Sequence, residues 1–216
     1  RGNRTGVQQA LPNKTVDNSS VLFAAPTRDQ AKRIYWNDLK ALVPRNLMDG
    51  VPQVTELTIK LINGSEISVV GMDKPERLEG RPLDWICCDE YANMRKAAWV
   101  ENIRPALATL GREGEAWLIG VPEGRNHFYD LAKDAQKPDA AEKGWEFFHW
   151  PSSDILDPKE IESAKQTMDP LTYDQEFNAN FLNFEGRCYY PYDRSLHSSA
   201  ALSYHPELPL IFCFDF

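Results

Sequence analysis

Two adjacent carboxylates, Asp89 and Glu90, follow directly on an apolar run at residues 85–88. A run of four apolar residues is typical of a strand buried on both faces, as in parallel sheets. Open α/β sheets bind their ligands at the carboxyl ends of such strands. Because neighbouring side chains point in different directions, the first acid could hold a magnesium ion while the second polarises an attacking water molecule. The alternative is a surface turn in which both acids are merely solvated.

A glycine-rich phosphate loop would be the expected companion of these acids, and its pattern is G-x-x-x-x-G-K-[ST]. Gly2 and Gly6 lie four apart near the start of the chain, but Val7 and Gln8 stand where lysine and Ser/Thr are required. Only about one helical turn fits between Gly6 and Pro12. Either this segment is not a phosphate loop, or residues that belong after Gly6 are absent from the chain.

Composition bounds the class of protein. The chain has 216 residues, of which 42% are hydrophobic and 26% are charged, as expected for a globular protein of one large domain or slightly more. The net charge of −8 argues against a uniformly basic surface for nucleic acid but does not exclude a local basic face. No apolar run approaches the ~20 residues of a membrane span, and no signal peptide opens the chain. The four cysteines lack zinc-ligand spacing, which indicates core thiols in a reducing compartment.

Hydrophobic periodicity predicts alternating strands and helices. An apolar run at 21–25 ends at Pro26, and Thr27 can cap a helix over 28–42. Asn63-Gly64 between two alternating runs is a strong hairpin signal. Further strands are predicted at 85–88, 116–120, 145–150 and 208–216, and further helices at 96–110, from 127, at 158–168 and at 171–180.

Other groups that could do chemistry are less specific. His127 and His149 are interpreted as structural, since the four histidines are too scattered for a metal site. The aromatic residues at 145–150 could stack on bases, but in an alternating strand they are expected to fill the core. Basic side chains on and after the helix at 28–42 could touch DNA phosphates or form a solvated face; they are Lys32, Arg33, Lys40 and Arg45.

The order of these features resembles the large subunit of a tailed-phage terminase, the ATP-driven motor that packages viral DNA. The likeness covers about residues 21–216, and the ordered set is far more specific than the two acids alone. The segments that carry it are 21–27 (VLFAAPT), 78–84, 85–90 (WICCDE), 91–94, 99–107, 119–124, 126–131 and the run that ends at Asp215.

The resemblance implies an α/β fold of the P-loop, RecA/ASCE-like type. We expect a mostly parallel sheet with helices on both faces and an added β-hairpin, followed by the truncated start of a second domain. The implied ATPase domain covers 1–182, with its phosphate loop incomplete. A linker at 183–207 and the first strand of an RNase H-like nuclease domain at 208–216 would follow, and we expect the chain to be cut short within that strand.

The resemblance also implies roles for the residues that match the ATPase motifs. Asp89 would coordinate Mg²⁺ with ATP, and Glu90 would orient or deprotonate the attacking water. Residues 120–124 resemble the motif that couples hydrolysis to movement, although Val121 replaces its usual threonine. The implied nucleotide-binding residues are Gly2, Arg4, Thr5 and Gly6 in the first part of the phosphate loop, and Gly120, Pro122 and Gly124 in the coupling motif.

The family also uses a catalytic arginine, supplied within the subunit or by its neighbour in a ring. Arg77 and Arg81 are the candidates, and either could instead only pair with Asp84 or Glu79. Asp215 resembles the first metal ligand of the nuclease domain, which would take a second Mg²⁺ or Mn²⁺ site. Because two-metal cleavage needs several carboxylates, the chain as given is not expected to cut DNA.

The implied partners are double-stranded viral DNA, the portal protein, the terminase small subunit and further copies in a homo-oligomeric ring on the procapsid, with no membrane. The implied location is the host-cell cytoplasm, outside the mature virion. Two alternatives stay open on the residues. One is a helicase-like ATPase that acts on nucleic acid, and the other is a catalytically inactive structural subunit in which the missing lysine and Ser/Thr are genuine.

Overall fold

A computed structural model of the chain describes residues 2–10, 18–111, 113–182 and 207. The predicted linker at 183–207, apart from Glu207, the predicted nuclease strand at 208–216 and the metal ligand Asp215 lie outside these residues.

A five-stranded sheet forms the centre of the fold, in the order β2-β3-β1-β4-β5. Strands β1, β3, β4 and β5 run parallel, whereas β2 pairs antiparallel with β3 across the predicted Asn63-Gly64 turn. This topology confirms the predicted mostly parallel sheet with an added hairpin. The strands are β1 (Ser20–Ala25), β2 (Thr58–Lys60), β3 (Glu66–Gly71), β4 (Trp85–Cys88) and β5 (Glu115–Leu118).

Both faces of the sheet are covered, which explains why β1 and β4 are apolar at every buried position instead of alternating. Side chains of β1 and β4 divide between two cores by the two-residue period of a strand. The first core contains Val21, Phe23, Trp85 and Cys87. The second contains Leu22, Ala24, Ile86 and Cys88. Cys87 and Cys88 are buried free thiols, as predicted.

Helices α1 (Gly2–Ala10), α2 (Arg28–Ala31) and α3 (Asn37–Leu42) supply side chains to the first core. Thr27 caps α2 in a capping box with Gln30, as the sequence predicts for a helix that starts here. A π-helical turn at Lys32–Trp36 joins α2 to α3. The predicted helix over 28–42 is therefore confirmed, with a wide turn in its middle that periodicity did not predict.

The second core is covered by a π-helical turn (Ala98–Ile103) that continues as α4 (Arg104–Leu107), and by α5 (His127–Asp134). The chain then forms α6 (Pro158–Thr167) and α7 (Pro170–Glu176), each of which is capped by an aspartate. Short 3₁₀ helices occur at Arg45–Leu47, Pro75–Leu78, Tyr91–Asn93, Ala141–Lys143 and Ser152–Asp154. In the described part of the chain, no helix has the length and apolar character to cross a membrane.

The predicted strand at 145–150 is wrong, because these residues have no regular secondary structure. A strand needs a neighbour for its backbone groups, and the described sheet ends at β5. The aromatic side chains do not fill a core either. Phe148 and Trp150 are 63% and 56% exposed and stack on one another with ring centroids 5.5 Å apart.

The expectation of a loop at 1–6 followed by a single turn is also wrong, because a helix begins at Gly2 and continues to Ala10. Gly6 is the reason that this helix lies close against the sheet. A Cβ at Gly6 would stand 2.4 Å from Cζ of Phe23 and 2.7 Å from Cζ3 of Trp85. The segment therefore packs as a core helix over β1 and β4.

Candidate active site at the carboxyl edge of the sheet

Asp89 is the first residue beyond β4. Its backbone N–H donates to the Ala24 carbonyl of β1 at 2.8 Å, which continues the sheet by one residue. The strand period places the Asp89 side chain on the same face as Cys87. Its Oδ1 atom accepts a hydrogen bond from the Glu90 N–H at 3.0 Å. Asp89 is therefore held at the sheet edge and is not a residue of a solvated surface turn.

Glu90 adopts a left-handed backbone conformation with φ 51° and ψ 43°. A non-glycine residue there typically carries about 1–3 kcal/mol of strain. The conformation persists because the next residue is fixed: the Tyr91 N–H donates to the Ile119 carbonyl at 3.0 Å, and the Ile119 N–H donates to the Cys88 carbonyl at 2.9 Å. The sharp turn aims Glu90 away from Asp89, so the two acids can act on different groups.

The pKa of Glu90 is raised, first by burial and then by the negative charges of Asp89, Glu176 and Glu123. A carboxylate with a raised pKa binds a proton more readily than an ordinary glutamate, which suits a general base. Glu123 and Glu176 come from the loop after β5 and from α7. The sequence analysis did not identify either residue, because nothing in the local pattern relates them to Glu90.

The segment at 120–124 lies directly beside Glu90. A Cβ at Gly120 would stand 3.2 Å from the Tyr91 nitrogen and 3.3 Å from Cα of Glu90. Gly124 has φ 59°, and its N–H donates to Oε1 of Gln175 at 3.4 Å. Pro122, between them, is buried. The structure thus brings Gly120, which was predicted to bind nucleotide, into contact with the predicted catalytic acid.

Helix α1 runs from the carboxyl edge of the sheet towards the amino edge. At its end, the Ala10 carbonyl accepts a hydrogen bond from Nδ2 of Asn63, in the turn that precedes β3, at 3.2 Å. In its middle, Gly6 packs on Phe23 and Trp85. Gly2 therefore lies about 6 Å further towards the carboxyl edge, at 1.5 Å per residue. The positive end of the helix dipole is directed to the edge that carries Asp89 and Glu90, which is the arrangement that binds phosphates.

The predicted phosphate-binding residues differ in their placement along α1. Gly2, Arg4 and Thr5 occupy its first turns, and Arg4 is exposed. Gly6 is buried, and the packing described above already accounts for a glycine at that position. Of the four, Gly2 lies farthest towards the acids.

Arg81 lies at the opposite, amino edge of the sheet. Its guanidinium group is paired with the Glu66 carboxylate and donates to Oγ of Ser68 at 3.1 Å and to Oγ of Ser20 at 3.3 Å. Glu66 and Ser20 are the first residues of β3 and β1. The alternative partners predicted from the sequence, Asp84 and Glu79, are therefore wrong as the pairing of Arg81. Asp84 instead accepts from the Ser20 N–H at 2.6 Å.

The separation between Arg81 and the acids is large. Asp84, level with Ser20, is five residues before Asp89, or about 16 Å along a strand. Arg77 is exposed on the 3₁₀ helix Pro75–Leu78. It lines a cleft of about 360 Å³ with Arg28 and Arg81 on the β2–β3 side of the sheet. Strand β1 lies between that side and β4.

Tyr35 is a further residue of the site that the sequence analysis assigned only to a buried helix face. It is 3% exposed, and its hydroxyl lies 3.7 Å from Sγ of Cys87. The hydroxyl also interacts with the carboxylate of Asp89. His127, interpreted as structural, contacts the Tyr91 carbonyl through Nε2 at 3.2 Å.

The donor set at this edge fits a magnesium ion shared with a nucleotide. Among the described residues, no three His, Cys, Asp or Glu side chains converge as an all-protein metal cage. Magnesium commonly uses one or two carboxylates together with phosphate oxygens and waters. Asp89, at the strand end and opposite the start of α1, is the residue that could supply such a carboxylate.

Comparison with known proteins supports this assignment of the edge. No family model matches the chain. A large terminase subunit of Escherichia phage T5 is 28% identical over 178 residues, which cover 80% of this chain and 39% of the T5 protein. The large terminase ATPase domain of Thermus phage P74-26 superimposes with a TM-score of 0.67 at 24% identity, over 82% of this chain and 80% of that one.

A third relative extends the structural comparison to a longer protein. The large terminase of another thermophilic bacteriophage, solved in complex with ADP, has a TM-score of 0.66 at 16% identity and covers 89% of this chain and 47% of its own. These similarities confirm the resemblance to phage terminase large subunits and the P-loop type of the fold. The chain spans about two fifths of the length of the T5 relative.

Proposed function

We propose that this chain, related to phage terminase large subunits, is the magnesium-dependent ATPase part of a motor that packages double-stranded viral DNA. The observation that carries the proposal is the convergence of Asp89, Glu90 and the start of α1 at one sheet edge. The large terminase of the thermophilic bacteriophage, solved with ADP and with ATP-γ-S, supports ATP as the substrate. The activity of the whole protein extends beyond the segment that matches these relatives and is part of the proposal.

In this proposal the two acids divide the work. Asp89 holds the metal with the nucleotide phosphates, and Glu90 takes up or orients the proton of the attacking water. When bound, magnesium would neutralise charge on the phosphates and the phosphoryl group in transfer. The raised pKa of Glu90 and its fixed left-handed turn favour the role of a base that is already in position.

The phosphates themselves would lie at the start of α1, with Gly2, Arg4, Thr5 and Gly6 as the proposed binding residues. The N–H groups in the first turn of a helix are free to bind an anion. Gly120, Pro122 and Gly124 would transmit the state of the nucleotide, because Gly120 contacts the backbone of Glu90. Val121 has no hydroxyl to sense the γ-phosphate, so the coupling would depend on backbone contacts.

Arg77 and Arg81 are proposed to act on the nucleotide of a neighbouring subunit. Their cleft lies on the β2–β3 side of the sheet, separated from the acids of the same subunit by β1. A positive charge supplied in trans would tie hydrolysis to ring assembly. The ring, the portal protein, the small subunit, the nuclease with its Mg²⁺ or Mn²⁺ at Asp215, and the host cytoplasm as the location complete the proposal.

One observation favours a second candidate, an inactive subunit of the same fold. Val7 is buried in the first core and Gln8 is exposed, at the two positions where a phosphate loop carries lysine and Ser/Thr. A helix whose second turn is fixed in this way offers no lysine to the β- and γ-phosphates. Nucleotide binding by the chain decides between the two candidates, because an inactive subunit would bind none.

The experiment that tests the proposal is ATP turnover of the full-length protein and of Glu90→Gln. We expect the variant to retain Mg·ATP binding and to lose turnover by at least about 10²-fold. Glu160→Gln, in the exposed first turn of α6, is the matched control and should turn over normally. Near-normal hydrolysis by Glu90→Gln would remove Glu90 from the mechanism.

A further inference from the structure

Tyr35 is buried in the first core, with its hydroxyl directed at the end of β4. Its ring packs on Phe23 with centroids 4.9 Å apart, and the hydroxyl lies 3.7 Å from Sγ of Cys87. Cys87 and Asp89 point to the same face of β4, so a group that reaches one also approaches the other. The Asp89 carboxylate is a hydrogen-bond partner of the same hydroxyl.

The π-helical turn at Lys32–Trp36 makes this placement possible. Such turns contain one more residue than an α-helical turn, are rare, and occur frequently at functional sites. Here two consecutive residues, Tyr35 and Trp36, are both 3% exposed, whereas Ile34 is 39% exposed. The Phe23 contact fixes the ring, and the wide turn directs its hydroxyl to the strand end.

The direction of the hydrogen bonds follows from the chemistry of the three groups. Burial raises the pKa of Tyr35 far above its usual range, so the phenol keeps its proton and can donate it. Burial also raises the pKa of the Cys87 thiol to about 12, so the thiol is protonated and a weak acceptor. Asp89 is the stronger acceptor, since a hydrogen bond to an ionised carboxylate is roughly twice as strong as a neutral one.

We infer that Tyr35 is a positioning residue whose O–H donates to the Asp89 carboxylate and fixes the orientation in which that carboxylate meets a magnesium–nucleotide complex. The inference rests on the proposed function of this edge. It adds a residue from the helix over 28–42 to a site that the sequence places at the ends of β4 and β5. The Glu90 N–H holds one side of the carboxylate, and Tyr35 would hold the other.

The test compares Tyr35→Phe with the wild-type protein, because this change removes the hydroxyl and keeps the ring against Phe23. Binding of a fluorescent ATP analogue is titrated with Mg²⁺ and is also measured in EDTA. Loss of an outer partner of a metal ligand typically weakens metal affinity by 10–100-fold. We expect the half-saturating Mg²⁺ concentration to rise about tenfold, with unchanged binding in EDTA and little change in Tm.

Two controls separate positioning from packing. Tyr173→Phe removes another buried hydroxyl, from α7, where the ring stacks on Phe177, and should leave the Mg²⁺ dependence unchanged. In an Asp89→Asn background, Tyr35→Phe should cause no further change, because the carboxylate it orients is gone.

Three outcomes would overturn the inference. They are an unchanged Mg²⁺ dependence in Tyr35→Phe, an equal loss of binding in EDTA together with a lower Tm, and an additive effect of the two substitutions. Absence of any Mg²⁺-dependent nucleotide binding in the wild-type protein would instead overturn the proposed function and this inference with it.

Discussion

The Cα atom of Glu90 lies 3.3 Å from the position that a Cβ atom on Gly120 would occupy. Each residue limits the other: Glu90 keeps its left-handed turn because the chain beyond β5 closes over it, and the close approach requires glycine at position 120. The relationship joins the end of β4 to the end of β5 through backbone contact. Movement of one segment must therefore displace the other.

Gly120→Ala should disturb the catalytic turn. The new methyl group would stand 3.2 Å from the Tyr91 nitrogen at a φ of 156°, so the backbone of residues 90 and 91 must shift. We expect about 1–3 kcal/mol less unfolding free energy and turnover lower by roughly 10- to 100-fold. Gly111→Ala, at φ 80° with open space around it, is the control that carries backbone strain without the contact. Urea unfolding and steady-state ATPase assays measure both effects, and equal turnover in the two variants would contradict the coupling.

Glu90→Gly should stabilise the fold while it removes activity. Glycine adopts φ 51° without the strain of a side chain, although it gains entropy in the unfolded chain. We expect about 0.5–1 kcal/mol more unfolding free energy and turnover lower by at least about 10²-fold. Ala179→Gly, at φ 54°, is the control that should also stabilise but keep activity. A lower unfolding free energy of Glu90→Gly would mean that the Glu90 side chain stabilises the turn.

The acid limb of the pH–rate profile should report the charges around Glu90. A base must be deprotonated, so turnover should fall as the pH drops through the raised pKa of Glu90. Glu176→Gln and Glu123→Gln remove charges that raise this pKa, and each should move the acid limb to lower pH, the first by more. Glu160→Gln on α6 is the control and should leave the limb in place.

The same raised pKa has a consequence for stability. The folded state binds the proton of Glu90 more tightly than the unfolded state does, so its contribution favours folding at low pH and is lost as pH rises through the folded pKa. Compared with the wild type, Glu90→Gln should therefore gain more unfolding free energy at neutral pH than at a pH of about 4. Chemical denaturation at both pH values tests the sign, and an equal difference at the two would show that Glu90 has an ordinary pKa.

Arg77 and Arg81 should separate in their effects on stability. Arg81→Ala loses the Glu66 pair and two serine contacts at the amino edge, which should lower the unfolding free energy by about 1 kcal/mol. Arg77→Ala, exposed on its 3₁₀ helix, should change it by less than about 0.5 kcal/mol. If Arg77 acts in trans, mixing inactive Arg77→Ala with inactive Glu90→Gln should restore part of the turnover. No recovery in mixed assemblies would contradict action in trans.

Gly6→Ala should test whether α1 packs on the sheet as described. A Cβ at 2.4 Å from Phe23 overfills the first core, for which we expect about 1–3 kcal/mol of lost unfolding free energy. Gln8→Ala, exposed on the same helix, should cost little and serves as the control. A fully tolerated Gly6→Ala would show that residue 6 lies in an open loop and not against Phe23 and Trp85.

Much of the fold could be predicted from local sequence. Strands β1 and β4 are short apolar runs, the Asn63-Gly64 turn specifies a hairpin, and Thr27 marks a helix start. These signals are local because burial on two faces, turn geometry and helix capping each depend on a few neighbouring residues. The strand at 145–150 failed for the opposite reason: pairing depends on a distant partner, which hydrophobicity alone does not provide.

The sequence by itself determined that two acids end a buried strand, since the position of Asp89 and Glu90 follows from the apolar run before them. Only the tertiary structure decided which groups face those acids. It directed the start of α1 to them, set Gly120 against Glu90, turned Tyr35 towards Asp89 and placed Arg81 at the far edge with Glu66. The reason is physical: strand direction, sheet order and the width of one helical turn bring together residues that are distant in the chain, and no local pattern encodes those separations.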